Sequence, residues 1–62
     1  MQLTPSHLRS FSEEEKEFIT TLDANGQLLV TDDPEAELPP GVTHVLVVEP
    51  GRKTRLIRRR TG

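Results

Sequence analysis

The ten residues 32–41, Asp-Asp-Pro-Glu-Ala-Glu-Leu-Pro-Pro-Gly, hold four acids and three prolines. They constrain the fold more than any other stretch of the chain. Proline donates no main-chain hydrogen bond and pushes the residue before it into an extended conformation, so neither a helix nor a central strand passes through here. The segment reads as an acidic Pro-rich loop, long for an ordinary connection, that either packs along the surface or stays mobile. Regular structure must therefore come from the residues before and after it.

Size sets the next limit. With 62 residues the chain is one small domain, 1–62, close to the lower bound for folding alone. Burying roughly 3,500 Å² of apolar surface contributes about 88 kcal/mol, and ordering the chain costs about 90 kcal/mol. Domains this finely balanced commonly lean on disulfides, a metal or a partner. The chain has no Cys, which removes disulfides and thiolate zinc sites. A protein partner or a homodimer is the remaining support. A cysteine-free chain also suits a reducing cytoplasm. The start, Met1-Gln2-Leu3-Thr4-Pro5, lacks the basic-then-apolar pattern of a secretory signal. The apolar run Val45-Leu46-Val47-Val48 is far short of a membrane span. The expectation is a soluble cytoplasmic protein with no membrane contact.

Along residues 1–12, Thr4 is a natural N-cap and Pro5 suits the first helical position, where its missing N–H is no loss. Leu8 and Phe11 follow on one side of a short helical turn. Residues 13–31 admit two readings. As a helix over about 12–24, Ser12 caps, Glu15 closes a capping box, acids fill the first turn and Gly26 stops it. Leu8, Phe11, Phe18 and Leu22 then share a face. As a hairpin, Phe18 to Leu22 is rich in β-branched and aromatic residues, and Ala24-Asn25-Gly26 forms a bulged three-residue turn. That register sets Leu22 opposite Leu28 and Thr20 opposite Val30, which gathers apolar residues on one face and favours the hairpin.

Residues 42–60 suggest a further hairpin. His44 to Val48 is apolar almost throughout, as in a strand buried on both faces. Pro50-Gly51 supplies a turn, and Leu56-Ile57 marks the return strand. Residues 58–62 read as a flexible basic tail. The predicted fold is mainly β: two consecutive hairpins closing as a small SH3-like or Tudor-like half-open barrel or a four-stranded antiparallel sheet, preceded by a helical turn. The alternative is α+β, with one helix at about 12–24 packed on a three-stranded sheet. The barrel analogy rests on strand number and length alone and implies no ligand.

The charge layout carries the functional expectation. Residues 1–50 contain two basic and ten acidic residues, a charge of −8, whereas residues 51–62 contain six basic residues and no acid, +6. Arg52, Lys53, Arg55, Arg58, Arg59 and Arg60 are the candidate partner-binding residues. Such density suits an acidic protein surface or a phosphate backbone, and arginine supplies bidentate contacts to either. The competing reading is internal neutralisation by Glu13–Glu17 and the acidic loop, or charges that merely guard an edge strand.

Nucleic acid is disfavoured relative to protein. The sequence pI is about 5.6, where nucleic-acid-binding domains usually exceed about 9, and only Phe11 and Phe18 are available to stack on bases. His7 and His44 lack a third ligand at metal-site spacing. Asp32, Asp33, Glu35 and Glu37 resemble a calcium loop only in charge, since Pro34 interrupts them and the central Gly is missing. Leu38-Pro39-Pro40-Gly41 is more simply a rigid connector than a polyproline ligand. So small a chain has little material to bury and orient catalytic groups. No cofactor or small-molecule substrate is implied. The leading expectation is a non-catalytic interaction module docking on a protein through its basic C-terminal hairpin. The alternatives are a nucleic-acid-binding regulator using the same cluster and a structural subunit that completes a partner's sheet.

Overall fold

Ser12 starts a helix, and that decides the architecture. In the computed structural model, which describes residues 2–59, a 3₁₀ turn (Pro5–Leu8) is followed by helix α1 (Glu13–Ala24) and three strands, β1 (Leu28–Thr31), β2 (His44–Val47) and β3 (Arg55–Arg58). The Ser12 hydroxyl accepts from the Glu15 N–H at 3.2 Å, and the Glu15 carboxylate accepts from the Ser12 N–H at 3.1 Å. Glu13, Glu14 and Glu15 place negative charge on the positive end of the helix dipole. The β-branched residues that favour a strand are accommodated: Thr20 Oγ1 donates to the Lys16 carbonyl at 2.7 Å and Thr21 Oγ1 to that of Glu17 at 2.9 Å.

Ala24-Asn25-Gly26 ends this helix instead of turning a hairpin. Gln27 N–H donates to Leu22 O at 2.9 Å and Gly26 N–H to Asp23 O at 3.1 Å, the paired bonds of a Schellman C-cap. Gly26 takes φ +70°, which a side chain resists. The expected first hairpin, with Leu22 opposite Leu28 and Thr20 opposite Val30, is thus absent, and the predicted four-stranded barrel or sheet is replaced by one helix and a three-stranded mixed sheet. The element content is that of the α+β alternative. Of the face named in the helical reading, Leu22 is buried and Leu8 and Phe11 pack on the core, but Ile19 takes the buried place expected of Phe18, which remains half-exposed.

The sheet order is β1-β2-β3. β1 pairs parallel with β2, Val30 beside Leu46, and β2 pairs antiparallel with β3, Leu46 beside Leu56. β2 and β3 are joined through a turn in which Arg52 N–H donates to Glu49 O at 3.1 Å and Gly51 adopts φ +75°, the conformation expected of a Pro-Gly turn. Strand alternation places Leu28, Val30, His44, Leu46, Leu56 and Arg58 on one sheet face. That face carries the core of Ile19, Val30 and Leu46, with Leu3, Leu8, Phe11, Leu28, Val48 and Leu56 packed around it.

Val45 and Val47, on the opposite face, are equally buried, as is Val42. Strand alternation puts Arg59 on this face too, and its bonds to Pro34 and Ala36 bring the 32–43 connection over it as the cover. A parallel pair requires a crossover, usually helical, and here the proline-rich segment performs it without regular structure. Arg59 continues the β3 ladder through its N–H to Thr43 O at 2.9 Å. Its guanidinium Nη1 donates to the carbonyls of Pro34 at 3.3 Å and Ala36 at 3.0 Å. The molecule is therefore layered as helix, sheet and clamped loop, with β2 buried between two covers. Arg58 closes β3 and Arg59 is held by these bonds, so the tail expected from residue 58 does not begin there; residues 60–62 lie outside the described part. No described helix is long and apolar enough to cross a membrane.

Candidate docking surface

The six basic residues singled out in the sequence meet different fates. Arg52 and Arg55 share one carboxylate: Arg55 Nη2 lies 3.3 Å from Glu49 Oε1 and Arg52 Nε 3.9 Å from Glu49 Oε2. Both remain mostly solvated, Arg55 with 57% of its side chain exposed. Exposed pairs of this kind are worth about 0–1 kcal/mol, so neither arginine is withheld from another partner. Arg58 and Lys53 are exposed and form no salt bridge among the described residues. Arg59 is half-buried and committed to the crossover carbonyls, so it is a structural residue and leaves the candidate surface. Arg60 lies outside the described residues.

Internal neutralisation is much weaker than the sequence permits. Among the described residues, no carboxylate of α1 or of the 32–41 loop pairs with a β3 arginine. Lys16 takes Glu13 at 3.2 Å within the helix. Asp33 spends its carboxylate on the Glu35 N–H at 3.0 Å, while Thr31 Oγ1 accepts from Asp33 N–H at 3.1 Å. Asp33 thus shapes its own turn, and the loop is held by its carbonyls. No group of three metal-ligating side chains and no pocket occurs among the described residues.

β3 is an edge strand, and its hydrogen-bonding parity can be read from its neighbours. Arg59 N–H donates to Thr43 O, so alternation in an antiparallel ladder assigns the inward bonds of β3 to Arg55 and Ile57. The inner strand agrees. His44 N–H donates to Gln27 O at 3.1 Å and Val48 N–H to Thr31 O at 2.8 Å, which turns the even-numbered residues of β2 toward β1. The main-chain groups of Leu56 and Arg58 therefore face outward, and no described residue bonds to them. Arg55 and Arg58 flank this open stretch on opposite sheet faces.

One neighbour of this edge was not legible as such. His44 sits beside Arg58 in the ladder. Its ring meets Phe18 edge-on at 5.4 Å between centroids and 86° between planes, and its Nδ1 is 2.7 Å from Thr43 Oγ1. Phe18 is the one large hydrophobic residue exposed among the described residues, at 48%. An apolar flank thus adjoins the basic edge on the helix side. The sequence signal for it was the helix itself, which carries Phe18 one position away from the buried Ile19. His7, the other histidine, accepts from Thr4 N–H at 3.3 Å in the N-terminal turn.

No family model matches the chain, and neither a curated protein nor a solved structure matches it.

Proposed function

We propose that the chain is a non-catalytic docking module that binds an acidic protein partner in the cytoplasm through the outer side of β3, with Arg55 and Arg58 as the principal contacts and Arg52 and Lys53 at the neighbouring turn. The observation that carries the reading is the division of labour between adjacent arginines. Arg59 serves the fold, whereas Arg58 has no partner among the described residues and lies on an edge strand. Arginine's planar fork suits carboxylates, and a cationic patch accelerates encounter with an acidic surface. The cysteine-free composition supports the compartment.

A second copy suits this strand poorly. Antiparallel self-pairing that engages both Leu56 and Arg58 sets Arg55 of one copy against Arg59 of the other, and like charges directly opposite one another destabilise a sheet. Nucleic acid would use the same cations, but ten acids elsewhere on the chain oppose phosphates.

The test is affinity capture from cell lysate with the wild-type chain and with the double variant R55E/R58E, each with and without nuclease. The reading requires a protein retained by the wild type, lost with the variant, and unaffected by nuclease. Identical capture by both chains refutes it, and capture abolished by nuclease transfers the surface to nucleic acid.

A further inference from the structure

The open side of β3 has a definite chemical pattern, and it specifies more than an acidic partner. We infer that the strand takes an extended segment of its partner as a fourth, antiparallel strand, and that this segment carries the sequence pattern acid–apolar–apolar–acid. The inference rests on the docking reading above and adds to it the mode of binding and the register.

Two independent observations support strand addition. The first is main-chain chemistry. Leu56 and Arg58 present an N–H and a C=O each to the outside of the sheet, with no bond from a described residue. Such edges are templates for a further strand unless something blunts them, and peptide segments bind by this route in a recurring recognition mode. β3 has no proline or glycine within it to prevent pairing. The second is the side-chain order Arg55-Leu56-Ile57-Arg58, exposed at its ends and half-buried in its middle. Cross-strand neighbours sit about 4.5–5.5 Å apart at Cβ. A partner strand in register therefore meets an arginine, two apolar residues and an arginine.

Opposite each arginine a carboxylate gains a charge-assisted contact, and opposite Leu56 and Ile57 an apolar residue extends the existing surface. Arg55 retains donors for this purpose, since Glu49 approaches only its Nη2. Alternation sends the two acids of the incoming strand to opposite faces of the extended sheet. One lies over the face shared with His44 and Phe18, and the other over the face that Arg55 shares with Val45. The arginines thus have a double role. They disfavour a second copy, which sets Arg59 against Arg55 and only Leu56 against Arg58, and they accept a strand with the complementary charge, the combination that gives specificity by repulsion as well as attraction.

The experiment uses the full chain, isotopically labelled, titrated with synthetic ten-residue peptides and followed by NMR. The probe carries a central Glu-Val-Val-Glu between serines. Its isomer with a central Val-Glu-Glu-Val has the same composition and charge. Two further versions of the probe are N-methylated, one on the residues whose N–H would face β3 and the other on the alternate residues. Strand addition predicts that the probe shifts the amides of Leu56 and Arg58 and slows their hydrogen exchange at least tenfold. The isomer should bind about fivefold to tenfold more weakly, as expected for two displaced cross-strand ion pairs. Methylation facing β3 should abolish binding, and methylation on the alternate residues should leave it.

Equal binding by the probe, its isomer and both methylated forms overturns strand addition and leaves acidic docking in place. No shift with any of these peptides overturns strand addition too, and the separate capture experiment then decides the docking reading. Because the decisive changes are made in the peptide, a misfolded protein variant cannot imitate either result.

Discussion

Replacing Arg59 by alanine should damage the fold while replacing its neighbour Arg58 should not, and the contrast tests the layered architecture directly. Arg59 Nη1 holds the crossover at Pro34 O and Ala36 O, at 3.3 and 3.0 Å. A hydrogen bond from a charged donor is worth about 1.5–3 kcal/mol. The two bonds share one nitrogen on a half-buried side chain, so together they are taken as about 2 kcal/mol, within that single-bond range. For a domain of this size each kcal/mol moves Tm by about 4–8 °C, which gives a fall of about 8–16 °C. Arg58→Ala removes an exposed side chain with no salt bridge among the described residues, and such changes stay within about 0.5 kcal/mol. Arg59→Lys should fall between wild type and Arg59→Ala, because an ammonium on a shorter, more flexible stem can still donate to these carbonyls but lacks the planar, fixed donor geometry with which Nη1 meets both. The chain has neither Trp nor Tyr, so the assay is thermal unfolding by far-ultraviolet circular dichroism. Equal melting of Arg59→Ala and Arg58→Ala, or wild-type melting of Arg59→Lys, would refute the clamp.

Other expected outcomes concern the elements that decide the fold. Ile19 is completely buried beneath α1, and Ile19→Ala should cost about 2–5 kcal/mol. With a total stability on the order of 3–9 kcal/mol at this length, a large loss of the 222 nm signal at 37 °C is the predicted result. Ser12→Ala removes the cap at Glu15 and should lower stability by about 1 kcal/mol, whereas Ser12→Asp, another good cap, should melt near wild type. Gly51 sits at φ +75° with open space around it, so Gly51→Ala should cost about 1–2 kcal/mol through backbone strain alone, read as a lowered midpoint in urea with an unchanged slope.

The residues explain why part of this fold was legible and part was not. The second hairpin was readable because Pro50-Gly51 fixes a turn chemistry and His44–Val48 has no polar face to offer solvent. The helix was ambiguous for a local reason. Phe18-Ile19-Thr20-Thr21 has strand-like composition, but the cost of β-branched residues in a helix is a few tenths of a kcal/mol each. The capping box and the Schellman close, about 1 kcal/mol for the cap alone, outweigh it. Ala24-Asn25-Gly26 suits both endings, because a residue with positive φ is wanted in either. The parallel pairing was hidden more deeply. A crossover ordinarily announces itself as a helix, and prolines at 34, 39 and 40 exclude one. What holds this connection is a side chain more than twenty residues downstream. Of the six candidate cations, charge alone could not separate Arg58 from Arg59; the separation depends on strand parity and on a loop position fixed only in three dimensions.

The two covers of β2 also differ in how they come away. Lifting α1 exposes Ile19 and the core it completes, an event close to global unfolding. The crossover on the other face is bonded to the sheet at its ends, through Asp33 and Thr43, and between them is held at one guanidinium and by the burial of Val42, so its middle can open while the helix and sheet persist. Stability in a folded protein is distributed in this uneven way, and the weakest unit opens first. The cover over Val45 and Val47 should therefore open before the helix does, and a protease that cuts after acids should enter at Glu35 and Glu37 while the helix and sheet are still folded.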